Sequence, residues 1–456
     1  MVFRKPLSSH RSKLVAVVST ALLATACGGG EPLGPGTDVA IKTDFGVTSS
    51  PCPDGHPERG CIYLGTILDH SGPFAISGAV FNSSIRAYWH EVNAAGGIGG
   101  HHDVAVPDRL AKDNQYNPAA HTAAYTRIAD EVLALAASLG TPTTMDTLPR
   151  LIEDRTLVVP NSFWSGWSFP EIDHGVALEY LVSYCFEGMN AMDWAVEEPG
   201  SEPVEAVGIV YFPSDYGRDY GSGVKTAAAA QGVEVRWEQP IVPIAAGGDP
   251  AQIEAVNRIV GGAQGGGSVA GDPVDVVFMV IGPSELAAIV GGAVQRGFDG
   301  IFITGSPGWD AGLLDTAAAP ALLSGRVFGT AGVAPWGSDT PGHRRAEAAL
   351  TAAGVDPHEY ALSAWVSQVR LQAVLEAAAA AGDLTRDGLL RASNELGVID
   401  YEGMQPAADW SRPETVPRHA FIGRFDAGAP TGSVVARDFF VGPTAASYAF
   451  DGPCTE

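Results

Sequence analysis

Positive charge is scarce in this chain of 456 residues: 27 Lys and Arg stand against 52 Asp and Glu, a formal net charge of −25 at neutral pH. A surface so acidic is not drawn to phosphate backbones, which excludes nucleic acid as a partner. Long apolar runs are missing as well. The run from Leu14 to Ala26 has thirteen apolar or small residues, whereas a membrane-spanning helix needs roughly 20. Catalytic signatures fail one by one. "WHEVNAAGG" places His90 beside Glu91 but has no second histidine four residues on. In "GSGVKT", Val224 separates glycine from Lys225, so the Gly-Lys-Thr core of a phosphate loop is broken. "GGSVA" (266–270) sits in a glycine-rich connection rather than on a strand-to-helix turn. "GGIGG" follows a helical pattern, not a strand, and is no dinucleotide fingerprint. His101 and His102 are adjacent on an expected loop with no further ligands nearby, and no CxxC occurs. No enzyme activity, metal or cofactor is expected.

The N-terminus carries a positive feature. "MVFRKPLSSHRSK" holds four Lys or Arg and no acid, and "LVAVVSTALLATA" leads directly to Cys27. A basic stretch followed by a short apolar one is the layout of a secretory signal, expected over residues 1–26. Ala24, Thr25 and Ala26 ahead of the cysteine resemble the lipobox of bacterial lipoproteins, with Ala24 where leucine is usual. That resemblance implies cleavage before Cys27, lipidation of its thiol and a membrane anchor at the outer face of the cell membrane. Cleavage moves the net charge from −25 to −29, since four positive charges and no acid are lost. Residues 27–60 then comprise the lipidated cysteine and a Gly-, Pro- and Ser-rich flexible tether.

Four cysteines remain, an even number suited to an oxidising compartment. Cys52 and Cys61 flank the turn-rich "PDGHPERG" and can close a small loop; Cys185 and Cys454 then pair by elimination. From Cys61 onward apolar runs alternate with helical patterns, as in a parallel α/β sheet. Strands are expected at "CIYLGTILD", "VLALAAS", "TLVVPN", "AVGIVYF", "VEVRWEQPIV", "VDVVFMVIG" and "GIFITG". Helices fall between them, among them one over "ALEYLVSYCFEGMNAMDWAVEE" (177–198). A long helix at "EYALSAWVSQVRLQAVLEAAAAAG" and a shorter one at "TRDGLLRASNELG" precede two late strands, "HAFIGRF" and "SVVARDFFVG". "GGAQGGGSVAGDP" reads as an exposed connection, and no repeat of 20–50 residues is visible.

With these pieces in order, the chain resembles the bacterial substrate-binding lipoproteins of the branched-chain amino acid family of ABC transporters. The resemblance covers nearly all of residues 61–445. It rests on "YLGTILDHSGPFAISGAVFNSSIRAYWHEVNAAGGIGG", "KDNQYNPAAHTAAYTRI", "DYGRDYGSGVKTAAAAQGVEV" and "GVIDYEGMQP". It implies a two-lobed periplasmic-binding-protein type I fold, a Venus flytrap of parallel sheets flanked by helices with a three-strand hinge. Lobe 1 would comprise 61–172 and 334–398, and lobe 2 would comprise 173–333 and 399–456. A monomer would close over a small ligand and present it to an ABC permease. That agrees with ligands in open α/β sheets binding beyond the carboxyl ends of strands.

The resemblance also directs attention to particular loops. Ser71 lies in "DHSGP". Gly140 and Thr141 match the position that offers hydroxyls and backbone N–H groups to a ligand carboxylate; Thr141 could equally cap the next helix. In "PNSFWSGW" the family's "P-A-A-T" is replaced, leaving Asn161 and Ser162 as hydrogen-bonding residues and Phe163 and Trp164 as an apolar or stacking wall. Trp167 belongs either to that wall or to the hinge. In the second lobe, Tyr216 matches the family's cleft tyrosine, Gly282 ends a strand where the family often has Gly-Tyr, and Ser306 stands where amino-acid binders carry an acid. Trp309 is nearby, and Asp69 or Asp310 is left to replace that acid. An unpaired buried ammonium is costly. The expected ligand is therefore small and apolar or aromatic with one polar or anionic end, and a branched-chain amino acid is the alternative. The same fold could also serve as a tethered sensor uncoupled from transport.

Overall fold

The computed structural model describes residues 41–198, 203–243, 249–264 and 273–455. The expected signal peptide, Cys27 and the start of the tether lie outside them, as does most of the 261–273 connection. Along the chain run β1 (Val47–Thr48), β2 (Gly60–Leu68), α1 (Ala75–Ala94), β3 (His102–Ala105), β4 (Ala111–Asp113), α2 (Pro118–Ile128), β5 (Ala134–Leu139), α3 (Thr141–Asp154) and β6 (Val158–Asn161). Then come α4 (Tyr184–Glu197), β7 (Ala206–Tyr211), α5 (Asp215–Gln231), β8 (Glu234–Pro240), α6 (Asp249–Gln264), β9 (Val276–Val280), α7 (Pro283–Gln295), β10 (Ile301–Thr304) and β11 (Val327–Ala331). The last are α8 (Pro341–Ala352), α9 (Glu359–Ala380), α10 (Arg386–Glu395), β12 (Ala420–Phe425) and β13 (Ser433–Phe440).

The strands form two sheets. In the first, β2 lies at the centre: β5 and then β6 follow in parallel on one side, and β1, β3 and β4 also pair with β2. The second has the order β13-β12-β11-β10-β9-β7-β8, parallel except for its two late strands. Side chains alternate as a period of two requires. Val276, Phe278 and Val280 of β9 enter one core, while Val277 and Met279 enter the core on the other face. Such strands are apolar on both faces because helices cover both. On the first sheet α1 lays Phe81, Ile85, Tyr88, Trp89 and Val92 against α9, where Trp89 Nε1 donates to Gln368 Oε1 at 3.0 Å. On the second, α4 and α5 touch backbone to backbone at Gly188, where a Cβ would lie 2.2 Å from the Tyr220 carbonyl oxygen.

The chain passes between the sheets three times, after β6, after β11 and after α10. The first passage corrects the helix expected over 177–198, which begins only at Tyr184. Ala177 and its neighbours run extended along β6, with Val158 donating to Val176 O and Leu178 donating to Val158 O, both at 2.8 Å. Ser183 then starts the helix, its hydroxyl accepting the Phe186 N–H at 3.4 Å. Apolar spacing alone hid this break. Strand β11 and helix α8 were not read from the sequence: "VFGTA" is interrupted by glycine, and α8 is a mixture of alanine and charge.

Residues 41–60, expected to belong to the tether, are folded onto the first sheet. Gly46 at φ +69° brings its backbone against Val132 and Leu133, and Tyr63 N–H donates to its carbonyl at 2.7 Å. Lys42–Thr43 pairs with Asp383–Leu384. His102, expected on a loop, opens β3 and is buried. Two disulfides close, Cys52–Cys61 and Cys185–Cys454.

Candidate functional site

The carboxyl ends of β5, β6 and β10 lead into one cavity of about 1220 Å³, including the part open to solvent. From the first sheet it takes Leu139, Gly140 and Thr141 at the end of β5, Asn161 and Phe163 at the end of β6, and Phe74, Ser77 and Phe81 from the start of α1. From the second come Tyr216, Ser306, Trp309, Thr330 and Phe421, and the passages between the sheets add Tyr180 and Tyr184. Ten of the thirty lining residues are aromatic, so the lining favours an apolar occupant. Phe163 packs against Tyr180 and Tyr184 with ring centres 5.4 and 5.3 Å away, and Tyr184 continues the array to Tyr216 at 4.8 Å. Among the described residues no Lys, Arg or His lines the cavity, and Glu359, on the first turn of α9, is its charged group.

The polar groups are arranged with care for their partners. Tyr180 donates its hydroxyl to Asn161 Oδ1 at 3.0 Å, while Asn161 Nδ2 is buried without a partner among the described residues. Trp309 Nε1 donates across the cavity to Glu359 Oε1 at 2.7 Å. Glu359 Oε2 is buried with no hydrogen-bond partner among the described residues, and His358 Nδ1 lies 3.8 Å from it. Burial pushes Glu359 up to about 6, against the Trp309 hydrogen bond and the nearby His358. Behind the other wall lies Glu187, wholly buried in α4; its Oε2 accepts the Ser306 N–H at 3.2 Å and the Thr330 hydroxyl at 3.1 Å. Desolvation drives it up to about 8, so it is mostly neutral at pH 7.

Residues 62–429 match the family described as periplasmic binding protein. The chain belongs to this family. Its members are non-enzymatic solute-binding proteins of ABC transporters, and this periplasmic binding protein falls in their leucine/isoleucine/valine-binding branch. The fatty acid ABC transporter substrate-binding protein of Thermomonospora curvata is similar in structure, with 24% identity over 90% of this chain and 97% of that one and a TM-score of 0.76. A branched-chain amino acid ABC transporter protein of Thermus thermophilus with bound valine shares 17% identity over 85% and 98%, with a TM-score of 0.67. The Streptococcus pneumoniae branched-chain amino acid binding protein in complex with isoleucine shares 16% over 83% and 99%, with a TM-score of 0.64. No curated protein matches the chain. Among the described residues no helix is long and apolar enough to cross a membrane.

Within the periplasmic binding protein, Gly140, Thr141, Asn161, Phe163, Tyr216, Ser306 and Trp309 come together around the cavity. Four other expected contacts do not line it. Ser71 donates its hydroxyl to Asp113 at 2.6 Å. Ser162 is buried behind the wall, 2.5 Å from the Thr141 hydroxyl and accepting Trp167 Nε1 at 3.2 Å. Trp164 folds over Gly166 and meets Trp167 edge-on at 5.3 Å in the core of the first sheet, so the expected aromatic wall shrinks to Phe163. Gly282 precedes α7. Neither substitute acid reaches the cavity. Asp69 accepts the N–H groups of Ser71, Gly72 and Phe74, and Asp310 caps Gly312 and faces His358 at 3.6 Å. Cys185, Asp219 and Cys454 have metal-like spacing, but both thiols belong to the disulfide.

Tyr116, Tyr180, Tyr184, Glu359 and Tyr360 were not expected at the site. No local signal marks Glu359, since the same helix also carries Ser367, Gln368, Arg370, Gln372 and Glu376, and only its packing brings its first turn to the cavity.

Proposed function

We propose that this protein captures a small apolar or aromatic solute outside the cytoplasm and hands it to an ABC importer, working as a lipid-anchored monomer. The lobes would be 61–172 with 334–398 and 173–333 with 399–456, hinged at the three passages. The carrying observation is the cavity's composition, ten aromatic residues and one charge among thirty. Burying apolar solute surface there contributes roughly 25 cal/mol per Å². A carboxylate end has no basic side chain to meet, which weighs against both a fatty acid and an α-amino acid as occupant. A thermal-shift screen tests the reading, because a ligand specific to the folded state raises the melting temperature by mass action. In a screen of aliphatic and aromatic amines, amides and acids, the amines and amides are expected to contain the hits. A shift confined to leucine, isoleucine and valine would overturn the reading in favour of an amino-acid binder.

A further inference from the structure

We propose that Glu359 selects the ligand's polar end: its free oxygen takes an N–H donor, so the solute is an apolar amine or amide rather than a carboxylic acid. This rests on the apolar-solute reading and deepens it. Three lining polar atoms are buried without a hydrogen-bond partner among the described residues: Glu359 Oε2, Asn161 Nδ2 and Ser306 Oγ. An unpaired buried carboxylate oxygen costs free energy until a donor arrives. The nearest candidate inside the protein is disqualified. His358 Nδ1, 3.8 Å from Oε2, already accepts the Tyr360 N–H at 3.2 Å, and its other ring nitrogen faces Asp310 at 3.6 Å.

The rest of the lining offers an anion neutral donors and no positive charge. Thr141 and Ser162 hydroxyls bond to each other, Thr143 Oγ1 donates to the Gly140 carbonyl at 2.9 Å, and the Ser306 N–H is committed to Glu187, which leaves the Ser306 hydroxyl and Asn161 Nδ2 as neutral donors. A carboxylate would enter facing Glu359 with no counter-charge. An N–H donor instead makes a charge-assisted bond, about twice as strong as a neutral one. Glu359 is also joined to the other wall, since Oε1 holds Trp309 at 2.7 Å. One carboxylate therefore ties ligand to closure. A ligand N–H on Oε2 adds to a bridge that Oε1 already makes.

The test uses the purified protein and three probes of one length, hexylamine, hexanamide and hexanoate, by thermal shift and calorimetry. The amine and amide are expected to bind at least about tenfold more tightly than the acid. Glu359→Gln, which keeps the shape, is expected to lose at least about tenfold for hexylamine, while Glu359→Asp, which keeps the charge, retains the order of preference. Circular dichroism and the unliganded melt verify that each variant folds. Tighter binding of hexanoate, or hexylamine affinity unchanged in Glu359→Gln, overturns the assignment while leaving the apolar-solute reading intact. Binding of none of the three by the unaltered protein overturns both.

Discussion

Glu359 and Glu187 are a matched pair in different settings. Both sit beside the cavity, both bond to the neighbouring wall through one oxygen, and both leave the other oxygen without a partner among the described residues. Burial raises both, to about 6 and about 8. They differ in access. Glu359 lines the cavity with a fifth of its side chain exposed, whereas Glu187 is fully enclosed beneath Ser306 and Thr330. Desolvation is only partial at Glu359, so near neutral pH it is charged and available to a ligand. At Glu187 it is complete, and the group is a neutral part of the wall. The same side chain becomes a recognition group or a structural one according to which side of the lining it occupies.

The comparison can be broken most forcefully at Glu187. Glu187→Ala removes the acceptor for Ser306 and Thr330 and leaves a void, an expected loss of about 3 kcal/mol in urea unfolding. The order of preference among the hexyl probes should nevertheless stay the same; an inverted order would show that the enclosed acid also reads the ligand. Glu187→Gln sharpens the point through pH. A carboxyl with a raised folded value stabilises fully below its unfolded value of 4.5, and that contribution is lost as pH climbs to about 8. Stability of the unaltered protein should therefore fall between pH 5 and 8, and the Gln variant should fall less.

Phe163→Ala tests the apolar half of the site. Losing the ring that packs on Tyr180 and Tyr184 should weaken an aromatic amine such as phenethylamine by about tenfold or more in calorimetry. The gentlest effect is the pH profile of hexylamine binding. Protonating Glu359 removes its charge, so affinity should fall by up to about tenfold per unit below pH 6. Groups facing Glu359 are His358, Asp310, Tyr360 and Trp309. The profile should therefore be measured in Glu359→Gln as well, where it should flatten. An equally steep profile in that variant would assign the titration to His358 or Asp310.

Much of the fold was legible because buried parallel strands are dense in aliphatic residues. "VDVVFMVIG" and "CIYLGTILD" admit few other readings, and the loops after β5 and β6 could be located from them. What escaped was whatever depends on contacts distant in sequence. The extended run at 177–183 carries apolar residues for the edge of β6, and those residues mimic a helix. Trp164 looked like a binding residue because its loop follows a strand; only Gly166, which leaves room for its ring, directs it into the core. Glu359 lies about two hundred residues from Asn161 and reaches the cavity by the packing of α9 on the first sheet, which no local pattern encodes.

The Cys185–Cys454 bond joins positions 269 apart, from the start of α4 to just beyond the last strand. Every strand of the second sheet, and the helices that complete the first, thus belong to one covalent ring. A protease that nicks this ring once produces no separate fragments. The cut chain stays a single molecule, both walls of the cavity remain tethered, and the pieces part only after reduction. For a member of an extracytoplasmic family, that is durability beyond what its folding free energy alone supplies.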